Sequence, residues 1–231
     1  MNSRRSVLEA NLATVRGRIT AACAAVGRDP REVTLIVVTK TWPASDIRIL
    51  AELGVRDVGE NRHQEAVEKA AELADLDLTW HFVGQLQRNK AGAVARYADV
   101  VQSVDRPALA VALDRGALSA GRDLTALVQV ALSEEDGRGG AQADRVMEVC
   151  RTIAAAPALR LAGLMAVAPL GEDPATAFAR LIPLRAEVRS EFPDATWLSA
   201  GMSGDLEAAI AAGATHVRVG GAVLGSRRDV R

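Results

Sequence analysis

The residues best suited to chemistry in this chain are a lysine, an arginine and two glycine clusters. Of its 28 basic residues only three are lysines, Lys40, Lys69 and Lys90. A chain that uses arginine for nearly every cation still places an amine after the apolar run Val33-Thr-Leu-Ile-Val-Val-Thr-Lys40. Arginine binds anions but stays protonated, whereas a desolvated lysine can lose its proton and attack a carbonyl. The glycines fall in Gly201-Met-Ser203-Gly204 and at Gly220-Gly221, where exposed backbone N–H groups can approach an anion closely. Arg218 lies between them in the apolar stretch Thr-His-Val-Arg-Val-Gly and needs an acceptor if it points inward. An amine and a phosphate cradle together suit a phosphorylated aldehyde held as a Schiff base. An arginine facing a pyridine nitrogen suits pyridoxal 5′-phosphate in particular, held well but with weak carbanion stabilisation. Each feature also has a plainer account: a lysine ending a strand in water, glycines that only make tight turns, and an arginine paired with a carboxylate at a barrel end.

These residues share one face only if a scaffold brings them there. Val33–Lys40 is short, β-branched and apolar, as for a strand buried on both faces of a parallel sheet. Seven further strands are expected at Val55–Val58, Leu78–Val83, Ala98–Val101, Leu124–Leu132, Leu159–Met165, Thr196–Ser199 and Thr215–Val219, with helical patterns between them. Eight such units predict a single (β/α)8 TIM-type barrel over residues 1–231. An extra N-terminal helix, Ser6 to Val26, is striped by Leu8, Leu12, Val15 and Ile19. The rival, an open doubly wound sheet, lacks an early G-x-G-x-x-G. In a barrel the loops after the strands build the ligand face, and those after the last two strands most often hold phosphate. That face would collect Lys40, Asn61, His81 with Gln85, Ser103, Met165, Ser199 with Ser203, and Arg218. Lys69 follows Glu65 by four residues and reads as a surface helix pair without chemistry.

Composition narrows the function classes. A net charge of −1 and 3% aromatic residues give neither the electrostatic footprint nor the stacking platform for nucleic acid. No apolar run is long enough to span a bilayer, and the N-terminal stretch has no signal-peptide core, so no membrane association and a cytoplasmic location are expected. Cys23 and Cys150 are too few and too far apart for a disulfide framework or a zinc site. Only thirteen residues follow Arg218, so no second domain is expected there to bring an acid–base partner. His81 and the single Tyr97 are the obvious replacements.

Several segments carry a closer likeness: Val38-Thr39-Lys40-Thr41, Gly59-Glu60-Asn61 with Gln64-Glu65, Trp80-His81-Phe82-Val83-Gly84-Gln85, Gly163-Leu164-Met165, Gly201-Met202-Ser203 with Asp205, and Val217-Arg218-Val219-Gly220 with Gly225 and Arg227. In these the chain resembles the pyridoxal phosphate homeostasis proteins, a family similar to the barrel domain of alanine racemase. The resemblance implies a pyridoxal 5′-phosphate-binding protein that buffers or delivers the cofactor, with PLP-dependent apoenzymes as candidate recipients. It is expected as a monomer or weak dimer, and the alternative is a weak racemase-like enzyme. By the same resemblance Lys40 would carry the cofactor, Asn61 would lie beside its ring and Arg218 would face the ring nitrogen. Ser203, Gly220 and Gly221 would hold the phosphate, and Met165 and Ser199 complete the set. Two positions depart from the family: Gly221 stands where a hydroxyl residue is usual, and Ala200 where methionine is usual.

Overall fold

The computed structural model describes residues 3–133 and 139–225. Eight parallel strands close into a barrel in simple sequential order: β1 (Thr34–Val38), β2 (Asp57–Glu60), β3 (Thr79–Phe82), β4 (Val100–Val104), β5 (Leu124–Val130), β6 (Leu159–Ala166), β7 (Trp197–Ser199) and β8 (His216–Val219). The closing pair runs in register from Thr34 opposite His216 to Val37 opposite Val219. The expected TIM-type barrel is therefore the fold. Arg227 and most of the polar loop expected at Ser133–Gly140, residues 134–138, lie outside the described residues.

The helical layer comprises α1 (Arg4–Ala25), α2 (Ala44–Glu52), α3 (His63–Glu72), α4 (Ala91–Val94), α5 (Pro107–Ala120), α6 (Val146–Ala154), α7 (Pro174–Ala179), α8 (Leu181–Glu191), α9 (Leu206–Ala211) and α10 (Gly221–Leu224). The additional helix α1 is capped by the Ser3 hydroxyl, which accepts from Ser6 N. Its apolar stripe buries Leu8, Leu12, Val15 and Ile19 against Ile47 and Leu50 of α2, Ile210 of α9 and Leu224 of α10. Arg4 latches it there, pairing with Asp46 at 2.6 Å and donating to Leu224 O at 3.0 Å. It flanks the barrel where the first and last strands meet.

Three local departures from the sequence reading matter for the site. β1 stops at Val38, so Lys40 stands in the turn beyond the strand. β4 continues through Val104 with every residue buried, so Gln102 and Ser103, expected in a loop, belong to the barrel wall. β6 carries an irregularity: Leu161 faces Ala126, but Gly163 faces Leu127. A Cβ on Gly163 would lie 1.9 Å from Trp197 O, and its φ is +147°, so only glycine fits. The extra residue lets Ala162 and Met165, three apart, both join Val100 and Leu127 in one apolar cluster inside the barrel.

Candidate functional site

The register of β1 puts Lys40 between two other strand ends. Val38 is opposite Gly59 of β2, so Asn61 hangs beside Lys40 on one side. Val37 is opposite Val219 of β8, so Gly220 and Gly221 follow on the other. Lys40 is exposed, and Asn61 is half-buried with its Oδ1 buried and unbonded. Gly84, at the end of β3, crosses the Asn61 backbone so closely that a Cβ would sit 2.3 Å from Asn61 O. Such an orphaned buried acceptor asks for a donor that the protein itself does not supply.

On the far side, Gly201 has φ +92°, and its carbonyl accepts from Arg218 N at 2.9 Å. Its turn carries Ser203 to the start of α10, where the hydroxyl accepts from Ala222 N at 3.4 Å. A Cβ on Gly221 would meet nothing within 4 Å, so the space beside this turn is open.

Arg218 projects into the barrel and is 4% exposed. Nη1 donates to Ser199 Oγ at 2.7 Å and Nη2 to Ala166 O at 2.8 Å. No carboxylate among the described residues forms an ion pair with it, so the plainer account of a carboxylate-paired arginine is not the arrangement found. Burial pushes its guanidinium down to about 10, against an opposing pull from Asp205. A buried cation bonded only to neutral groups is costly and leaves donors for a further acceptor.

From Arg218 a chain of hydrogen bonds crosses the barrel interior. Ser199 Oγ donates to Gln102 Oε1 at 2.7 Å, Gln102 Nε2 meets His81 Nδ1 at 3.0 Å, and His81 Nε2 meets Asp57 Oδ1 at 3.0 Å. Because arginine can only donate, the Ser199 proton goes to Gln102; the amide then donates to Nδ1, and the His81 proton sits on Nε2 toward Asp57. Both ring nitrogens of His81 are thus engaged within the wall. Below them His216 packs against Trp197 with ring centroids 4.1 Å apart, and burial first and His81 second push it down to about 4.

Tyr97, the other expected acid–base group, is not at this face. It packs among the helices outside the barrel and stacks on His63 at 5.8 Å, and its buried hydroxyl is unbonded and pushed upward by burial. Ser103 Oγ is likewise buried without a partner.

Lys69 forms the expected i,i+4 pair with Glu65, but not at the surface. It is 6% exposed, not a surface residue, and its ammonium lies between β2 and α3, donating to Thr39 O, Glu60 Oε1 and Glu65 Oε1 at 2.8, 2.8 and 2.7 Å. Glutamates nine and four residues before a lysine did not reveal which face of α3 turns inward. Gln102 and Asp57 were missed too; the one available signal was a lone amide in the apolar run Val100-Val101-Gln102. Cys23 and Cys150 are free and buried, and burial pushes the Cys150 thiol up to about 12, as expected of inert thiols. Among the described residues there is no cluster able to hold a metal and no helix long and apolar enough to cross a membrane.

Residues 6–228 match the family model described as alanine racemase, N-terminal domain. A pyridoxal phosphate homeostasis protein of Mycobacterium bovis is 44% identical, covering 97% of this chain and 95% of its relative. One from Escherichia coli K12 is 40% identical, over 94% and 95%. Among solved structures, PipY of Synechococcus elongatus with PLP bound is 38% identical with a TM-score of 0.83, covering 94% of this chain and all of that one. Alanine racemase from Corynebacterium glutamicum, at 16% identity and a TM-score of 0.70, shares the fold. This chain belongs to the pyridoxal phosphate homeostasis proteins, a family built on the barrel of the alanine racemase N-terminal domain.

Proposed function

We propose that this protein binds pyridoxal 5′-phosphate through a Schiff base on Lys40 and serves vitamin B6 homeostasis by buffering or delivering the cofactor, without turning over an amino acid. The observation that carries this reading is Arg218, a buried guanidinium with no carboxylate partner among the described residues, next to the strand ends that bear Lys40 and the open glycine turn. PipY, a relative at 38% identity, is solved with PLP bound. The residues fit such a ligand. Arg218 offers a donor to a ring nitrogen, Asn61 an unsatisfied oxygen beside Lys40, and Ser203 with Gly220 and Gly221 a cradle for a dianionic group.

When bound, the cofactor supplies an aldehyde for the amine and an electron-withdrawing ring. The chain's own residues restrict the chemistry open to such a ligand. Arg218 donates a hydrogen bond without transferring a proton, which leaves a pyridine nitrogen neutral and the ring a poor electron sink. Both nitrogens of His81 are committed to Gln102 and Asp57, and the Tyr97 hydroxyl lies outside the barrel. Neither is placed to exchange protons above a bound ring, which supports a carrier over the alternative of a weak racemase-like enzyme. Release to PLP-dependent apoenzymes needs only hydrolysis or transimination at Lys40.

The test is an absorption spectrum of the purified protein with pyridoxal 5′-phosphate, before and after borohydride. A visible band that borohydride abolishes, fixing the label on Lys40, is expected. Lys40→Ala should lose that band while melting within about 0.5 kcal/mol of wild type, because an exposed turn residue contributes little to the core. The same reducible band in Lys40→Ala, with label on Lys69 or Lys90, would remove the assignment.

A further inference from the structure

Both chain neighbours of Lys40 are tied to the buried ammonium of Lys69. Lys69 has three N–H groups and commits them to Thr39 O, Glu60 Oε1 and Glu65 Oε1. Glu60 Oε1 also accepts from Thr39 Oγ1 at 2.7 Å, and Glu65 Oε1 also accepts from Thr41 N. The residue before Lys40 is therefore held by Lys69 directly, and the residue after it through Glu65. Thr39 is fully buried, while Lys40 and Thr41 are exposed, so the turn is anchored from beneath.

Thr41 shows why an anchor is needed. Its φ is +68°, and among the described residues it is the single non-glycine with positive φ. A β-branched residue in the left-handed region costs about 1–2 kcal/mol, and it persists only where the surroundings impose it. The contact on its N–H from Glu65 is that constraint. Rotation of Thr41 to ordinary φ would carry its N–H off the carboxylate and swing the Lys40–Thr41 peptide with it.

We propose that Glu65, held by Lys69, is a positioning residue for Lys40: it locks the left-handed turn at Thr41 and so holds the reactive amine at one place on the barrel rim. This rests on Lys40 being the attachment point. It also accounts for the division of labour between two lysines on adjacent βα units, since Lys69, with its N–H groups committed to two carboxylates and a carbonyl, is not available as a nucleophile.

Glu65 is the group to change. Its side chain is 25% exposed, so its loss leaves no deeply buried cavity, whereas removing Lys69 would strand two carboxylates. Affinity for pyridoxal 5′-phosphate would be read by absorbance titration, borohydride labelling would map the attachment, and far-UV circular dichroism would confirm the fold. Glu65→Ala should bind about tenfold more weakly, the release of the strained turn plus one hydrogen bond. Glu65→Gln keeps an oxygen for Thr41 N and should stay within about threefold of wild type. The double variant Thr41→Gly with Glu65→Ala should recover part of the loss, because glycine adopts the left-handed turn unaided. Wild-type affinity in Glu65→Ala, equal weakness in Glu65→Ala and Glu65→Gln, or no recovery in the double variant would each overturn the proposal. Wild-type protein labelled elsewhere than Lys40 would instead defeat the functional reading on which it stands.

Discussion

Two buried cations lie on opposite sides of the same barrel wall, and their partners differ in kind. Lys69, outside the wall, has two carboxylates and a carbonyl. Arg218, inside it, has a hydroxyl and a carbonyl and, among the described residues, no carboxylate. A buried cation matched to carboxylates and saturated with acceptors completes a structure. One matched only to neutral groups is kept at a cost in stability, and the remaining capacity points to what binds there. Burial was therefore no guide to which of the two serves a ligand; the chemistry of the partners was.

The largest expected effect comes from breaking the matched site. Lys69→Met leaves Glu60 and Glu65 without their shared cation and should cost about 3–5 kcal/mol in denaturant unfolding. Desolvation already raises Glu60 above its ordinary range despite Lys69 and Thr39. Without Lys69 it would rise further, so the folded variant takes up a proton at higher pH than the unfolded chain. The deficit should thus be fullest near neutrality and shrink as pH falls; a deficit that grows on acidification would contradict this.

A third buried ionisable group, His216, sharpens the comparison because it can discard its charge. Burial holds it near 4 against an ordinary 6.5. Between those values the unfolded chain binds a proton that the folded one refuses, so stability should be lost as pH drops from 6.5 toward 4, by about 3 kcal/mol for this group. His216→Phe should flatten that part of the stability profile. An unchanged slope would show that the ring is protonated in the folded protein.

The smallest effect on stability is expected at the unmatched site. Arg218 sits near 10 rather than 12.5, so at neutral pH the folded state bears the full cost of this cation. Arg218→Met should leave the ligand-free protein as stable as wild type or about 1 kcal/mol more so, while pyridoxal 5′-phosphate binding falls at least about tenfold. A variant destabilised as strongly as Lys69→Met would erase the distinction between the two cations.

How far the sequence could be read depends on the same division. The apolar run before Lys40, the glycines at Gly201 and Gly220-Gly221, and the stripe of Leu8, Leu12, Val15 and Ile19 are local patterns, and they predicted the barrel, its first strand and its flanking helix. The order of the strand ends then put Lys40, Asn61 and Gly220 side by side without any side-chain geometry. Lys69 was misread because i,i+4 spacing describes neighbours on a helix but not which face of that helix meets the sheet. Gln102 was misplaced because β4 extends as far as its neighbours pair with it, and Met165 turns inward only through the irregularity at Gly163.

The sequence alone determined the alternation of strands and helices, the identity of the one lysine placed after the first strand, and the family likeness, because each resides in residues a few positions apart. The tertiary structure alone decided the partners: that Arg218 meets Ser199 and the Ala166 carbonyl, that Gln102 and His81 continue its chain to Asp57, and that Lys69 reaches Thr39 from thirty residues away. Those bonds join strands and helices brought together by barrel closure, and desolvation inside the closed wall is what gives each buried charge its meaning.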